Sequence, residues 1–119
     1  MTTLFVVDDN PDKRRSVIMA LSDRYTIEDT DQPDQALMAI ETRKPAMVLI
    51  NQTAFGFNAN SLFLHIKERY PKMPVLLYVL REPDATRTLK QTISMALKEK
   101  PARPKKPAFQ MLRLSEVPA

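Results

Sequence analysis

Cysteine is absent from the 119 residues, which excludes disulfides and thiol chemistry. Histidine occurs once, as His65, inside a helical pattern. A metal centre built on several histidines is therefore excluded, and a Ser-His-Asp triad would have to centre on this one helical residue. No run of about 18 apolar residues is present, so no transmembrane helix is expected. The N-terminus has no basic region followed by an apolar stretch, so no secretory signal is expected. Together with the missing cysteine this points to the cytoplasm. Glycine also occurs once, as Gly56. In a chain so poor in glycine, that residue marks a turn needing positive φ.

What is present suits one compact domain. Hydrophobic residues make up 44% of the chain, enough for a core. Charge is uneven: residues 1–60 carry six basic and nine acidic side chains, whereas residues 61–119 carry twelve and five. The two halves thus stand at −3 and +7. Such asymmetry fits an acidic or nucleic-acid partner, or simply a solvated surface.

The stretch Leu4-Phe5-Val6-Val7-Asp8-Asp9-Asn10 organises the rest. Four apolar residues in a row read as a short strand buried on both faces. Two carboxylates follow at its carboxyl end, where open parallel sheets place their ligand crevice. Side-by-side anions repel unless a cation lies between them, most often a divalent metal with oxygen ligands. The alternative is that Asp8 or Asp9 caps the next helix. Asn10 and Pro11 supply helix-start chemistry, and that helix runs to about Arg24. Val17, Ile18 and Leu21 share its inner face, with Arg14, Arg15 and Asp23 largely outside.

A second strand is predicted at Tyr25-Thr26-Ile27, a loop from Asp29 to Pro33, and a helix from Asp34 to Arg43 with Ala36, Leu37 and Ile40 inward. Lys44-Pro45 closes that helix. Ala46 to Ile50 is a fully apolar strand ending at Asn51. A helix capped by Asn60 or Ser61 reaches Tyr70; Leu62, Leu64 and Ile66 cannot all face one way, so part of it must be exposed or covered on two sides. Val75 to Leu80 is a further strand. Asp84 is a candidate cap for a helix over Ala85 to Leu97, where Leu89, Ile93, Ala96 and Leu97 keep helical spacing. From Lys98 the composition shifts: residues 98–119 hold six basic side chains and four prolines. Interior helix does not survive that proline spacing. Phe109 to Leu114 is the one apolar island there, readable as a docked helix or strand or as a partner-binding segment. The organisation is a domain over 1–97 and a basic, proline-rich segment over 98–119.

Strand and helix alternate four times. That order predicts an α/β fold, a doubly wound parallel sheet of flavodoxin-like type with helices on both faces. The first and third strands are the most apolar, as central strands should be.

The sequence Val6-Val7-Asp8-Asp9-Asn10, with Asn51, Gly56 and Pro74-Val75-Leu76 at their spacings, resembles the receiver domain of bacterial two-component response regulators (CheY-like). The likeness covers residues 3–80 without a gap and reaches toward Pro101. It implies that Asp8 and Asp9 help hold Mg²⁺ and that the phosphoacceptor position is Asn51, where the family has aspartate. It places the switch hydroxyl at Val79. It places the phosphate-contacting lysine at Lys100, which requires a fifth strand within Met95–Glu99. A carboxamide is a poor nucleophile, so Asn51 is not expected to be phosphorylated. Its carbonyl is still a ligand for a hard cation, so Asp8, Asp9 and Asn51 are expected to bind Mg²⁺ weakly. Val79 cannot hydrogen-bond a phosphoryl oxygen, so the family's switch is expected to be lost.

The expected function is that of an atypical receiver, a phosphorylation-independent interaction module in phosphorelay-type signalling. Its protein partner, another signalling protein or a second copy, would meet a face including Tyr78, Arg87, Lys90 and Phe109. Those residues read equally as an ordinary solvated face. An alternative is nucleic-acid binding through Lys98, Lys100, Arg103, Lys105 and Lys106; five charges give modest affinity and no DNA-binding motif is present. A third is that the chain is the receiver half of a longer regulator. A metal-dependent enzyme is disfavoured, because Asn51 stands where a nucleophile is needed.

Overall fold

The computed structural model describes residues 1–81 and 85–99. Strand β1 (Thr3–Val7) and strand β3 (Met47–Asn51) are almost wholly buried and pair with each other in the middle of the sheet. Strand β2 (Thr26–Thr30) flanks β1, and strand β4 (Val75–Tyr78) flanks β3. The order is β2-β1-β3-β4, with every described pairing parallel. The two most apolar strands are thus central, as the sequence pattern requires. Edge strands β2 and β4 are only partly covered.

Helix α1 (Pro11–Leu21) begins where the sequence signals predict: Pro11 opens it, and the Asn10 side chain accepts from the Lys13 amide at 2.9 Å. It ends at Leu21, a turn short of Arg24. Strand β2 runs to Thr30, so Asp29 is a strand residue rather than part of a loop. The reason is Arg14. It is half-buried, not outside, and its Nε pairs with the Asp29 carboxylate at 2.9 Å. Tyr25 precedes the strand; it is buried under α1. Helix α2 (Pro33–Arg43) stops at Lys44, whose left-handed φ of 48° makes the C-cap, its amide bonding back to the Ala39 carbonyl at 3.2 Å.

After β3 comes a short turn, α3 (Ala54–Phe57), in which Phe55 and Gly56 both have positive φ. Gly56, at φ 62°, fulfils the turn expectation. Helix α4 (Ala59–Arg69) starts after Asn58, one or two residues before the expected cap. Leu62 and Ile66 are buried, and Leu64 is 64% exposed, which resolves the conflict in its pattern. Strand β4 ends at Tyr78, and Val79 and Leu80 lie beyond it.

Helix α5 (Ala85–Ala96) buries Leu89 and Ile93, while Ala96 is exposed. No strand forms within Met95–Glu99: Ala96 is still helical, and the Leu97, Lys98 and Glu99 amides all bond back to α5 carbonyls. Lys98, at φ 57°, turns the chain out of the helix. The fifth strand that the Lys100 match would require there is a helix end instead, in line with a sheet whose fifth strand is incomplete or rearranged. Asp84 as a cap, Lys100, Phe109 and the tail residues Arg103, Lys105 and Lys106 lie outside the described residues.

Two cores sandwich the sheet. On one face α1 and α5 pack together over Leu4, Val6, Met47, Leu49 and Tyr78. On the other, α2 and α4 cover Phe5, Val7, Val48 and Ile50. Lys90 of α5 holds both carboxylate oxygens of Asp23 at 2.9 Å, bracing α5 against the end of α1. This hydrogen bond lowers the Asp23 carboxyl below its usual range. Lys90 is thus engaged within the molecule rather than presented to a partner.

At the foot of the sheet the Tyr25 hydroxyl donates to Glu99 at 2.7 Å. Burial, then this contact, raises the phenol from 10.0 to about 12. A group whose folded value is raised contributes stability that is complete below its unfolded value and lost as pH rises. Wild-type stability in urea melts is therefore expected to fall from about pH 10 upward, and its margin over Tyr25→Phe to shrink between pH 10.0 and about 12. A margin independent of pH would show that Tyr25 ionises as freely folded as unfolded.

Candidate functional site

The carboxyl ends of β1, β3 and β4 converge on Asp8. This residue is 0% exposed, yet its side chain is fully engaged. One oxygen, Oδ1, accepts the Asn10 amide at 2.9 Å. The other, Oδ2, accepts Asn51 Nδ2 at 3.0 Å and the Tyr78 hydroxyl at 2.7 Å. All three partners donate, so Asp8 serves purely as an acceptor, as an ionised carboxylate does. Its backbone is fixed too: the amide bonds to the Thr30 carbonyl at 3.1 Å, and Arg14 Nη1 donates to its carbonyl at 2.7 Å.

Asn51 is 2% exposed. Its oxygen faces two donors of Thr53, the amide at 3.0 Å and the hydroxyl at 2.9 Å. Its nitrogen faces a carboxylate. The surroundings fix the orientation of the amide, since the reverse would set oxygen against oxygen and nitrogen against N–H. The oxygen expected to face a cation is turned away from Asp8.

Asp9 is exposed, and its Oδ2 accepts the Phe55 amide at 2.9 Å. The two carboxylates that looked like a metal pair therefore have separate tasks: Asp8 closes the interior, and Asp9 holds the turn after β3. That bond also supports the left-handed Phe55, a conformation costing about 1–2 kcal/mol for a residue with a Cβ. Neither aspartate caps α1; Asn10 does.

Tyr78 carries the largest departure from expectation. It was placed on an outward surface, but it is 5% exposed and pairs in register with Asn51. Its ring packs among Leu4, Val6, Leu49 and Leu89 on the α5 face. Burial, then the Asp8 contact, raises its phenol well above the ordinary value. Alternation along the strand contained the signal: Tyr78 shares a face with Leu76, whereas Val75 and Leu77 take the other. Val79, the expected switch position, lies one residue past the strand and reaches neither Asp8 nor Asn51 by any hydrogen bond of its side chain, having none to make. Arg87 is exposed on α5.

The receiver resemblance implies Mg²⁺ in this region. The donor set does not fit it. Asp8 already accepts three protein donors, the Asn51 oxygen faces Thr53, and Asp9 Oδ2 accepts the Phe55 amide. Among the described residues no group of three or more His, Cys, Asp or Glu could hold a metal ion. The arrangement binds strand ends to one another.

No family model matches the chain, and no curated protein matches its sequence. Solved structures do match. A CheY-like response regulator receiver domain protein from Methanospirillum hungatei superposes with a TM-score of 0.71 at 16% identity, over 82% of this chain and 94% of that one. A LuxR-family two-component response regulator from Aurantimonas gives 0.70 at 16% identity, over 82% and 86%. NtrX from Brucella abortus gives 0.68 at 25% identity, over 82% of this chain but 26% of that longer one. The fold is that of response-regulator receiver domains. Among the described residues no helix is long and apolar enough to cross a membrane.

Tyr78→Phe keeps the ring and removes one of the donors to the buried carboxylate. The expected cost in urea or thermal unfolding is about 1–3 kcal/mol. A change below about 0.5 kcal/mol, the scale of an ordinary surface substitution, would mean that the hydroxyl is not needed to hold Asp8.

Proposed function

We propose that this chain is a pseudo-receiver: a receiver-fold module of two-component-type signalling that acts by binding a protein partner, without aspartyl phosphorylation. The observation that carries the reading is the Asn51 amide donating to Asp8 at the end of the central strands. In a phosphorylatable site a carboxylate attacks phosphorus and forms an acyl phosphate. A neutral carboxamide whose nitrogen faces the crevice and whose oxygen is held by Thr53 does not.

Tyr78 supports the same reading. Its hydroxyl occupies the approach to Asp8 from β4, the side from which a switch hydroxyl would meet a phosphoryl group in the family. Mg²⁺ entering this site would have to break bonds from Asn51 and Tyr78 to reach Asp8. That leaves Mg²⁺ binding weak at best. The site is thus held in one state by the protein's own donors, and the partner-binding surface does not depend on phosphorylation. The receiver-fold matches include proteins in which this domain is a part of a longer regulator, and the present chain fits such a role as well as a free-standing one.

Asn51→Asp tests the site directly. It sets a second carboxylate against the buried Asp8, and like charges at that distance destabilise each other. The variant is expected to melt below wild type without Mg²⁺ and to regain stability with millimolar Mg²⁺, whereas the wild type shows no Mg²⁺-dependent shift. Incubation with acetyl phosphate and Mg²⁺ is expected to leave wild type without a hydroxylamine-labile phosphoryl group. Such an adduct on wild type would overturn the reading.

A further inference from the structure

Among the described residues strand β4 is an edge of the four-stranded sheet, with no strand paired on its outer side. The backbone alternation is set by the bonds to β3. Val48 donates to the Pro74 carbonyl at 3.0 Å and Gln52 to the Tyr78 carbonyl at 2.8 Å. The even-numbered residues of this strand therefore face β3, and the N–H and C=O groups of Val75 and Leu77, with Val79 next in the same alternation, face away from it. Alongside lies a groove of about 420 Å³ between β4 and α5, walled by Leu76, Leu77, Tyr78, Val79, Ala85 and Leu89 among others.

Chain handedness argues against a parallel fifth strand from the same chain. The crossover from β1 to β2 moves toward one edge of the sheet with α1 on the first face. The crossovers from β2 to β3 and β3 to β4 move the other way with α2 and α4 on the second face. All three are of one hand, the right-handed arrangement found in about 98% of such units. Continuing past β4 with that hand would put the next helix on the second face. Helix α5 instead lies on the first face, against α1. A parallel strand added beyond β4 through α5 would be left-handed.

We propose that the β4 edge is a self-association surface: it pairs with the β4 edge of a second copy of this chain, antiparallel, about a two-fold axis at Leu77. Under that symmetry Leu77 meets Leu77, and Val75 meets Val79 of the other copy. Every outward N–H then finds an outward C=O. The run Val75-Leu76-Leu77-Tyr78-Val79-Leu80 carries no charge, so its own copy meets no like-charge repulsion across the pairing window. The strand is short, four residues, but it carries no lysine or inner proline and its register with β3 is unbroken by a bulge. Arg81, the charged residue lining the groove, lies beyond that window and keeps its solvent. The pairing extends the proposed binding role by naming the partner, and its test does not depend on the chemistry at Asn51.

The test is the mass of the full chain by sedimentation equilibrium, combined with amide hydrogen exchange. The expected mass is twice 13.6 kDa at micromolar concentration, with the Leu77 and Val79 amides protected in proportion to dimer. Val79→Pro removes one outward N–H and leaves the bonds to β3 intact. It is expected to be monomeric with an unchanged circular dichroism spectrum. A monomeric wild type overturns the proposal, whether its Leu77 amide exchanges freely (an open edge) or slowly (an edge covered by the chain's own tail). A dimer whose Leu77 amide exchanges as fast as in a monomer also overturns it, by placing the contact elsewhere. Should Val79→Pro fail to fold, the exchange pattern of wild type decides alone.

Discussion

One buried carboxylate governs this molecule. A charge with no access to water is tolerable only when its oxygens are fully hydrogen-bonded, and Asp8 is bonded from three directions. The donors come from the residue that caps α1, from the end of β3 and from the end of β4. The carboxyl ends of three parallel strands are thereby tied to a single group. Arg14 adds a second tie, clamping the Asp8 carbonyl to β2 through Asp29. In receiver domains this end of the sheet implies a cation and a phosphoryl group. Here protein donors hold the carboxylate, and the carboxamide of Asn51 is what lets β3 supply one of them: an amide has N–H groups to give, and an ionised aspartate does not.

The second constraint is topological. Helix α5 packs on α1 instead of crossing to the α2 and α4 face, and Lys90 pinning Asp23 holds it there. Tyr25 reaching Glu99 fastens the far end. These contacts complete the core on that face with four described strands. Among the described residues they also leave the outer side of the short strand β4 without a neighbouring strand.

Much of the architecture was legible in the sequence because it follows from local rules. Unbroken apolar runs gave β1 and β3 and their central places; Asn10-Pro11 and Lys44-Pro45 marked a helix start and a helix stop; Gly56 announced a left-handed turn. What was not legible depends on contacts between distant residues. Asp29 looked like a loop residue until Arg14 met it across 15 positions. Met95 to Glu99 looked able to form a strand, because sequence does not say on which face α5 lands. That Asp8 is held by Asn51 and Tyr78, and Asp9 by Phe55, was not legible either, because those partners come from distant parts of the chain. Tyr78 was the costliest misreading, as a tyrosine is amphipathic and suits a surface and a polar-tipped interior equally. Its alternation with Leu76 and its register with Asn51 show which it is.

The account rests on the Asp8 site being closed by its own donors, and amide NMR addresses this most directly. Mg²⁺ is added to the full chain, followed by beryllofluoride, with the resonances of Asp8, Asn51, Thr53 and Tyr78 followed throughout. The account predicts that they stay fixed at both additions. Shifts that begin at Asp8 with Mg²⁺ and spread through Tyr78 into α5 with beryllofluoride would contradict it, because they would show a site that still opens to a ligand and still relays its occupancy.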